Sequence, residues 1–507
     1  MTSILLAPIN ARHSHTAFGA RYLLANMGDL RAQTALVEFT IQQPAEEIAQ
    51  RIVAHSPRIL GLSAYIWNAE RLRQLLSLLR RRLPDTRVVL GGPELTPGAD
   101  WDADVLLLGE GDLAFAATCR RLLDAPPPAE RLIHAPPPEL EALALPYGEY
   151  TDEDLAHRTL YVETSRGCAM RCDYCVSATG EAVRYFPLDT LLPAFDTLLE
   201  RGARLFKFCD RSFNLHLPRA VAILRFFRER LEAHPGLFLH VEMLPERFTP
   251  ELLAQLAAFP PRSLQLEIGL QSFDEDVLSR IRRPQNVKRA EDILRHLRQH
   301  TAAYLHTDLI AGLPGETPAS FASGFDRLAA LRPHEIQLGI LKKLPGAPIV
   351  RHQQAFDMRF NPRAPYEIRS TKDWPADHLR RTERFAHYWD AIVNSGRFLP
   401  AAPLLWAQEA SVFEAFMAFS DWMGRRFFVE HGIPLADKVS AVFDYLTRVR
   451  AQPPAVAADA LLRGYRHTGA RDIPPALAPH LPAELPPPSP PLPRALRRQH
   501  LHWTYDA

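Results

Sequence analysis

The stretch TSRGCAMRCDYC, residues 164–175, holds Cys168, Cys172 and Cys175, three of the chain's five cysteines. Their spacing is C-x3-C-x2-C. A structural zinc ion takes four ligands, so zinc would need Cys209 or a histidine to complete its set. A disulfide takes two cysteines, and five in 507 residues make no disulfide framework; a reducing cytoplasm is the expected setting. A 4Fe–4S cluster normally takes four thiolates. Three would leave one iron open, where a substrate or cofactor can chelate.

The elements that must position these thiols read as repeating β–α units. The cluster follows a strand candidate, LYVET (160–164), and five more follow it: RLFKFCD (204–210), LFLHVEM (237–243), SLQLEIG (263–269), YLHTDLI (304–310) and EIQLGIL (335–341). Helical patterns at 188–201, 218–232, 250–258, 287–299 and 317–331 separate them. Six units predict a partial, open barrel with its site at the carboxyl ends of the strands.

Ahead of it, ILLAPI (4–9), ALVEF (35–39), RILGLSAY (58–65), RVVLGG (87–92) and DVLLLGEG (104–111) alternate with helical patterns. Such continuous apolar runs suit parallel strands buried on both faces, here a flavodoxin-like doubly wound sheet. The fold class is therefore α/β, with a mainly α-helical C-terminal domain built on patterns such as 378–396 and 409–428. The expected divisions are 1–125, a proline-rich linker at 126–155, the barrel at 156–348 and the helical domain at 349–507. Proline triplets at 126–128 and 136–138 mark the linker. A second proline-rich stretch, Ile473–Pro493, reads as a connection.

Composition limits the partners. Hydrophobic residues make up 47%, charged residues 23%, and the net charge is +1, which offers no bulk attraction for nucleic acid or anionic membrane. No window approaches the roughly 20 apolar residues of a membrane span. The apolar run at Ile4–Pro8 is too short for a signal peptide and lacks a basic start.

The C-x3-C-x2-C loop after the first strand of six β–α units resembles the radical S-adenosylmethionine (SAM) superfamily. The resemblance implies a 4Fe–4S cluster on Cys168, Cys172 and Cys175, with SAM on the open iron. It implies one-electron cleavage of SAM to a deoxyadenosyl radical, fed by an electron donor such as flavodoxin or ferredoxin. It places Tyr174 against the adenine. Where the family often carries Gly-Gly-Glu for the methionyl amine, this chain has Cys209-Asp210-Arg211. Asp210 is then the candidate amine ligand, or else the partner of Arg211 or a lysine. Glu242 and Glu267 are candidates for ribose or amine, and a buried carboxylate needs such a partner. Gln271 and Ser272 are candidates for the carboxylate or ribose. Asp308 and Gly312, in DLIAGLPGE, match the family's glycine motif beside the adenine.

A doubly wound domain before such a barrel resembles the cobalamin-binding subgroup. That assigns Ser63, Gly91, Gly92, Gly109 and Glu110, at the strand ends, to cobalamin. Cobalamin proteins with a cobalt-ligating histidine carry Asp-x-His-x-x-Gly in the first loop. Here it reads NARHSHTAFG (10–19), so the cobalt's lower face is expected to be water-bound or unligated, with His13 and His15 as loop or packing residues. NARHSHTAFG, LKKLPGAPI (341–349) and NPRAPYEI (361–368) resemble a subgroup whose helical C-terminal domain is expected to cap the barrel mouth.

The leading function implied is methyl transfer to an unactivated carbon, using a deoxyadenosyl radical and methylcobalamin. The rival within the same class is a rearrangement or other non-methylating reaction. The rival from another class is a non-catalytic cobalamin- or metal-binding protein. A small metabolite, lipid or peptide all remain open as substrate.

Overall fold

The computed structural model describes residues 3–177, 182–427, 432–481 and 496–506. Residues 482–493 of the second proline-rich stretch lie outside them.

The first sheet is parallel throughout. Its order is Thr34–Leu36, Ile4–Leu6, Ile59–Ser63, Arg87–Gly91, Val105–Gly109 and Leu132–Ala135. Ile4, Leu5, Ile59 and Leu60 are buried completely, as strands covered on both faces require. The covering helices follow from apolar spacing. In Ala69–Arg82, Leu72, Leu75, Leu76 and Leu79 form the buried stripe while the arginines face out. One correction concerns the linker: its segment Leu132–Ala135 is the sheet's edge strand, paired with Val105–Gly109. The proline triplets stand outside those four residues, so no ladder hydrogen bond is lost to them.

The second sheet has the order Glu335–Ile340, Tyr304–Ala311, Leu264–Gln271, Phe238–Glu242, Leu205–Phe208 and Leu160–Val162, again all parallel. The five expected helices are present, at Leu188–Glu200, Leu217–Arg228, Pro250–Ala257, Val287–His300 and Pro318–Ala330, and Glu275–Arg280 adds a short sixth. Asp274, Asn286, Thr249 and Thr317 cap four of these helices with side-chain oxygens.

The barrel core runs without a break into the C-terminal helices. Phe325 packs edge-on against Phe385 and Trp389, and Phe413 joins them. The C-terminal region meets the barrel at both ends. Arg498 pairs with Glu335 and Gln499 bonds Gln265, at the amino ends of their strands. Two segments reach the carboxyl-end loops: His352 meets Asp173 of the thiol loop at 2.7 Å, and Tyr366 donates to Glu94. Of the C-terminal helices, Ala376–Trp389 and Val412–Arg426 lie against the barrel, and Leu435–Arg448 packs on Val412–Arg426 and on Pro454–His467.

Candidate active site

The thiol loop begins where the Leu160–Val162 strand ends. Its base is a short antiparallel pairing of Ser165–Arg166 with Arg184–Tyr185. Asp210, at the end of the next strand, holds that base: it accepts from Thr164 N at 2.9 Å, Thr164 Oγ1 at 2.7 Å and Ser165 Oγ at 2.5 Å. Burial raises its pKa, and these hydrogen bonds oppose the rise. Its oxygens are taken by the loop, and Arg211 lies 3.6 Å from Glu242 instead.

Cys168, Cys172 and Cys175 are all free thiols, Cys172 buried and the others partly exposed. Burial raises the Cys168 pKa, and Cys175 and Cys172 add to the rise. Thiols that disfavour one another's ionisation suit a cationic group held between them. The sequence reading missed Arg283. It is buried, donates to Cys172 Sγ at 3.6 Å and to the Gly269 carbonyl, and its Nε has no partner among the described residues. Tyr174 sits beside Arg283 and Cys172, and burial pushes its hydroxyl pKa up. Arg283 lies 111 residues from Cys172, so no local spacing could reveal the contact.

The barrel interior gathers three of the expected residues. Glu267 takes His240 Nε2 at 2.8 Å, and His306 reaches Asp308 at 3.2 Å and Glu335 at 3.7 Å. One ligand atom each of Glu267, His306 and Asp308 lies within 4.8 Å of the others. Burial opposes the charge on His306, but Asp308, Glu335 and Glu267 outweigh it and lift the pKa to about 9. Burial raises Glu242 to about 7; Arg211 opposes this while Glu267 and Asp308 reinforce it. Burial works against the Glu267 carboxylate as well, yet His240 and His306 pull its pKa below the usual range.

Gln271 stands at an irregularity in the strand register with φ of +70°. Ser272 donates to the buried Glu316, whose pKa burial lifts to about 8. A Cβ on Gly312 would lie 2.7 Å from Ile368, so its close approach here is to the C-terminal region.

The carboxyl edge of the first sheet faces the barrel. Ser63 and Gly91 pair in register at that edge. A Cβ on Gly91 would meet nothing nearer than 3.6 Å, whereas one on Gly92 or Gly109 would lie 2.4 Å from the Ala64 or Ala135 carbonyl oxygen. A side chain would fit at Gly91 with ordinary contact, while Gly92 and Gly109 stand at positive φ too close to those carbonyls for one. Glu110 is held by Arg166 at 2.7 Å and by Arg184, and Asp112 by Arg166 at 2.8 Å. These pairs tie the edge to the base of the thiol loop. Tyr65 and Trp67, stacked at 4.3 Å, expose an indole face there. His15 Nδ1 meets the Tyr161 hydroxyl at 2.6 Å. His13 is exposed, and its carbonyl accepts from Arg158.

A doubly wound sheet presents its carboxyl edge to a partial barrel, with three free thiols on the loop whose base is paired to that edge. Residues 162–328 match the family model described as Radical SAM superfamily, and residues 6–118 match B12 binding domain. Residues 162–328 therefore form a radical SAM domain and residues 6–118 a cobalamin-binding domain. The chain's cofactors are a 4Fe–4S cluster, SAM and cobalamin, and the residues described fit them: thiols with a buried guanidinium, a polar barrel interior, and an open, partly aromatic sheet edge.

The chain is 28% identical over 407 residues to the cobalamin-dependent radical SAM methyltransferase TokK of Streptomyces tokunonensis, covering 71% of this chain and 58% of that protein. It is 31% identical over 332 residues to the 2-(S-pantetheinyl)-carbapenam-3-carboxylate methyltransferase of Streptantibioticus cattleyicolor, covering 58% of this chain and 48% of that one. The chain thus spans about half the length of these curated relatives. In fold it is similar to the cobalamin-dependent radical enzyme OxsB, with TM-score 0.59, 12% identity and coverage of 92% and 84%. It is likewise similar to the methyltransferase TsrM of Kitasatospora setae, with TM-score 0.56, 20% identity and coverage of 68% and 74%.

Proposed function

We propose that the chain is a cobalamin-dependent radical SAM methyltransferase acting on an unactivated carbon. The observation that carries this reading is that Arg166 and Arg184, at the base of the thiol loop, pair with Glu110 and Asp112 at the carboxyl edge of the first sheet and so hold that edge beside the three thiols. When bound, the cluster and SAM supply a hydrogen-abstracting radical, and cobalamin supplies a methyl carrier. The chain's own residues do the rest. Cys168, Cys172 and Cys175 hold the cluster, with Arg283 offsetting thiolate charge. Glu242, Asp308, Gln271 and Tyr174 orient SAM, Glu267 fixes His240 and His306, and the packed barrel excludes water. On this reading residues 1–125 bind cobalamin, 156–348 form the barrel, and 349–507 support it. An electron carrier such as flavodoxin or ferredoxin serves it in the cytoplasm. No helix among the described residues is long and apolar enough to cross a membrane.

The test is anaerobic reconstitution with iron, sulfide and cobalamin, then turnover with methyl-labelled SAM and untargeted product profiling. Label in a product supports methylation; product without label supports a rearrangement. Cys172→Ala should lose the cluster's visible absorption and all SAM cleavage. A Cys172→Ala variant that still cleaves SAM would overturn the assignment.

A further inference from the structure

Asp173 stands between two of the thiols, fully buried, and two guanidiniums and an imidazole close on its carboxylate. Arg282 Nη2 lies 2.6 Å from Oδ1, Arg351 Nη2 2.6 Å from Oδ2, and His352 Nε2 2.7 Å from Oδ2. One carboxylate cancels one guanidinium, and arginine does not give up its proton. Charge is therefore left over, and it faces solvent: the side chains of Arg282 and Arg351 stay 41% and 43% exposed while Asp173 is at 0%.

The positive surface continues from there. The Phe356 ring packs against His352 at 6.1 Å and carries the Arg280 guanidinium at 5.2 Å and the Lys372 ammonium at 4.3 Å. Arg280 donates to the Pro314 carbonyl. Among the described residues neither Arg280 nor Lys372 has a carboxylate at ion-pair distance. The excess is local, since the whole chain carries only +1.

We propose that this surface docks an acidic one-electron carrier protein, which reduces the cluster across the Cys172–Cys175 turn. In that step the carrier is oxidised by one electron and the cluster reduced by one, with no bond or proton exchanged. A buried carboxylate that pins two long side chains preorganises the face, and the unbalanced charge steers an acidic partner to the edge nearest the thiols. The proposal rests on the cluster assignment made above.

The experiment uses the reconstituted full chain and reduced flavodoxin as probe, with bleaching of the cluster's visible absorption followed by anaerobic stopped flow at low and high salt. Arg351→Gln and Lys372→Gln should each lower the second-order rate constant several-fold at low salt. Together they should lower it about tenfold and flatten the salt dependence. Iron content and bleaching by dithionite should stay at wild-type values. Lys372→Gln leaves the Asp173 cluster untouched, so it decides the matter even where Arg351→Gln disturbs the loop. Wild-type rates and salt slopes in iron-loaded variants would overturn the docking surface alone. A wild-type chain that takes up no iron would overturn the cluster assignment and this proposal with it.

Discussion

Glu38 and Asp154 face two arginines, whereas Glu267 and Asp308 face two histidines. In the first group Arg21 reaches Glu38 at 3.0 Å and Asp154 at 2.6 Å, and Arg158 reaches Asp154 at 2.8 Å and also Glu38. These pairs join the first helix, Phe18–Ala25, to the short helix Asp152–His157 before the barrel. Burial works against the Glu38 carboxylate, but Arg21 and Arg158 pull its pKa down to about 2. The balance is two acids to two bases that never titrate near neutrality. In the barrel the partners are imidazoles, which do titrate, and Glu242 and His306 sit at about 7 and about 9. Similar acids thus make a locked joint in one place and a responsive chamber in the other, and the difference lies in the bases opposite them.

The largest expected effect separates the two by stability. Arg21→Ala strips one base from a joint where Arg21 and Asp154 are each only 3% exposed, leaving a buried carboxylate underpaired. Urea denaturation should report a loss of about 3–5 kcal/mol. Glu267→Gln keeps a hydrogen-bond acceptor for His240 and should cost about 1 kcal/mol, with its main effect on SAM affinity. Equal losses would break the distinction.

Next in size is the pH dependence, which runs in opposite directions. Glu38 is depressed from 4.5 to about 2, so its contribution is complete above pH 4.5 and is lost as pH falls toward 2. His306 is raised from 6.5 to about 9, so its contribution is complete below pH 6.5 and is lost as pH rises through 9. Each limb amounts to about 3 kcal/mol. Denaturation midpoints across pH should lose the acid limb in Glu38→Gln and the alkaline limb in His306→Gln. A single variant that flattened both limbs would join the two regions into one.

The strands, most helices and the three thiols were legible because apolar runs and short spacings are local signals. The chamber's carboxylates were legible for the same reason. His240 and His306 were legible in principle, since each stands two residues before Glu242 or Asp308 and strand neighbours at that interval share a face. Arg283 and the joint were not. Arg21 and Asp154 lie 133 residues apart, and each alone reads as an ordinary solvated helix charge. The edge strand Leu132–Ala135 was hidden by its proline flanks, and the pairs of Glu110 with Arg166 and Arg184 span 56 and 74 residues, too far for any local signal.

The smallest expected effect lies where the two regions meet. The His15 carbonyl belongs to the joint, accepting from Arg158 and from Asn10 at 3.1 Å, while its ring faces the barrel and meets the Tyr161 hydroxyl at 2.6 Å. Burial lowers the His15 pKa, and the charge of Lys207 lowers it further, which favours the uncharged ring and a neutral hydrogen bond to the tyrosine. Tyr161→Phe removes that one neutral hydrogen bond and should cost about 1 kcal/mol at pH 7. Because no charged partner is lost, neither the acid nor the alkaline limb should move. A shifted acid limb in Tyr161→Phe would mean that joint and chamber titrate through His15 as one network.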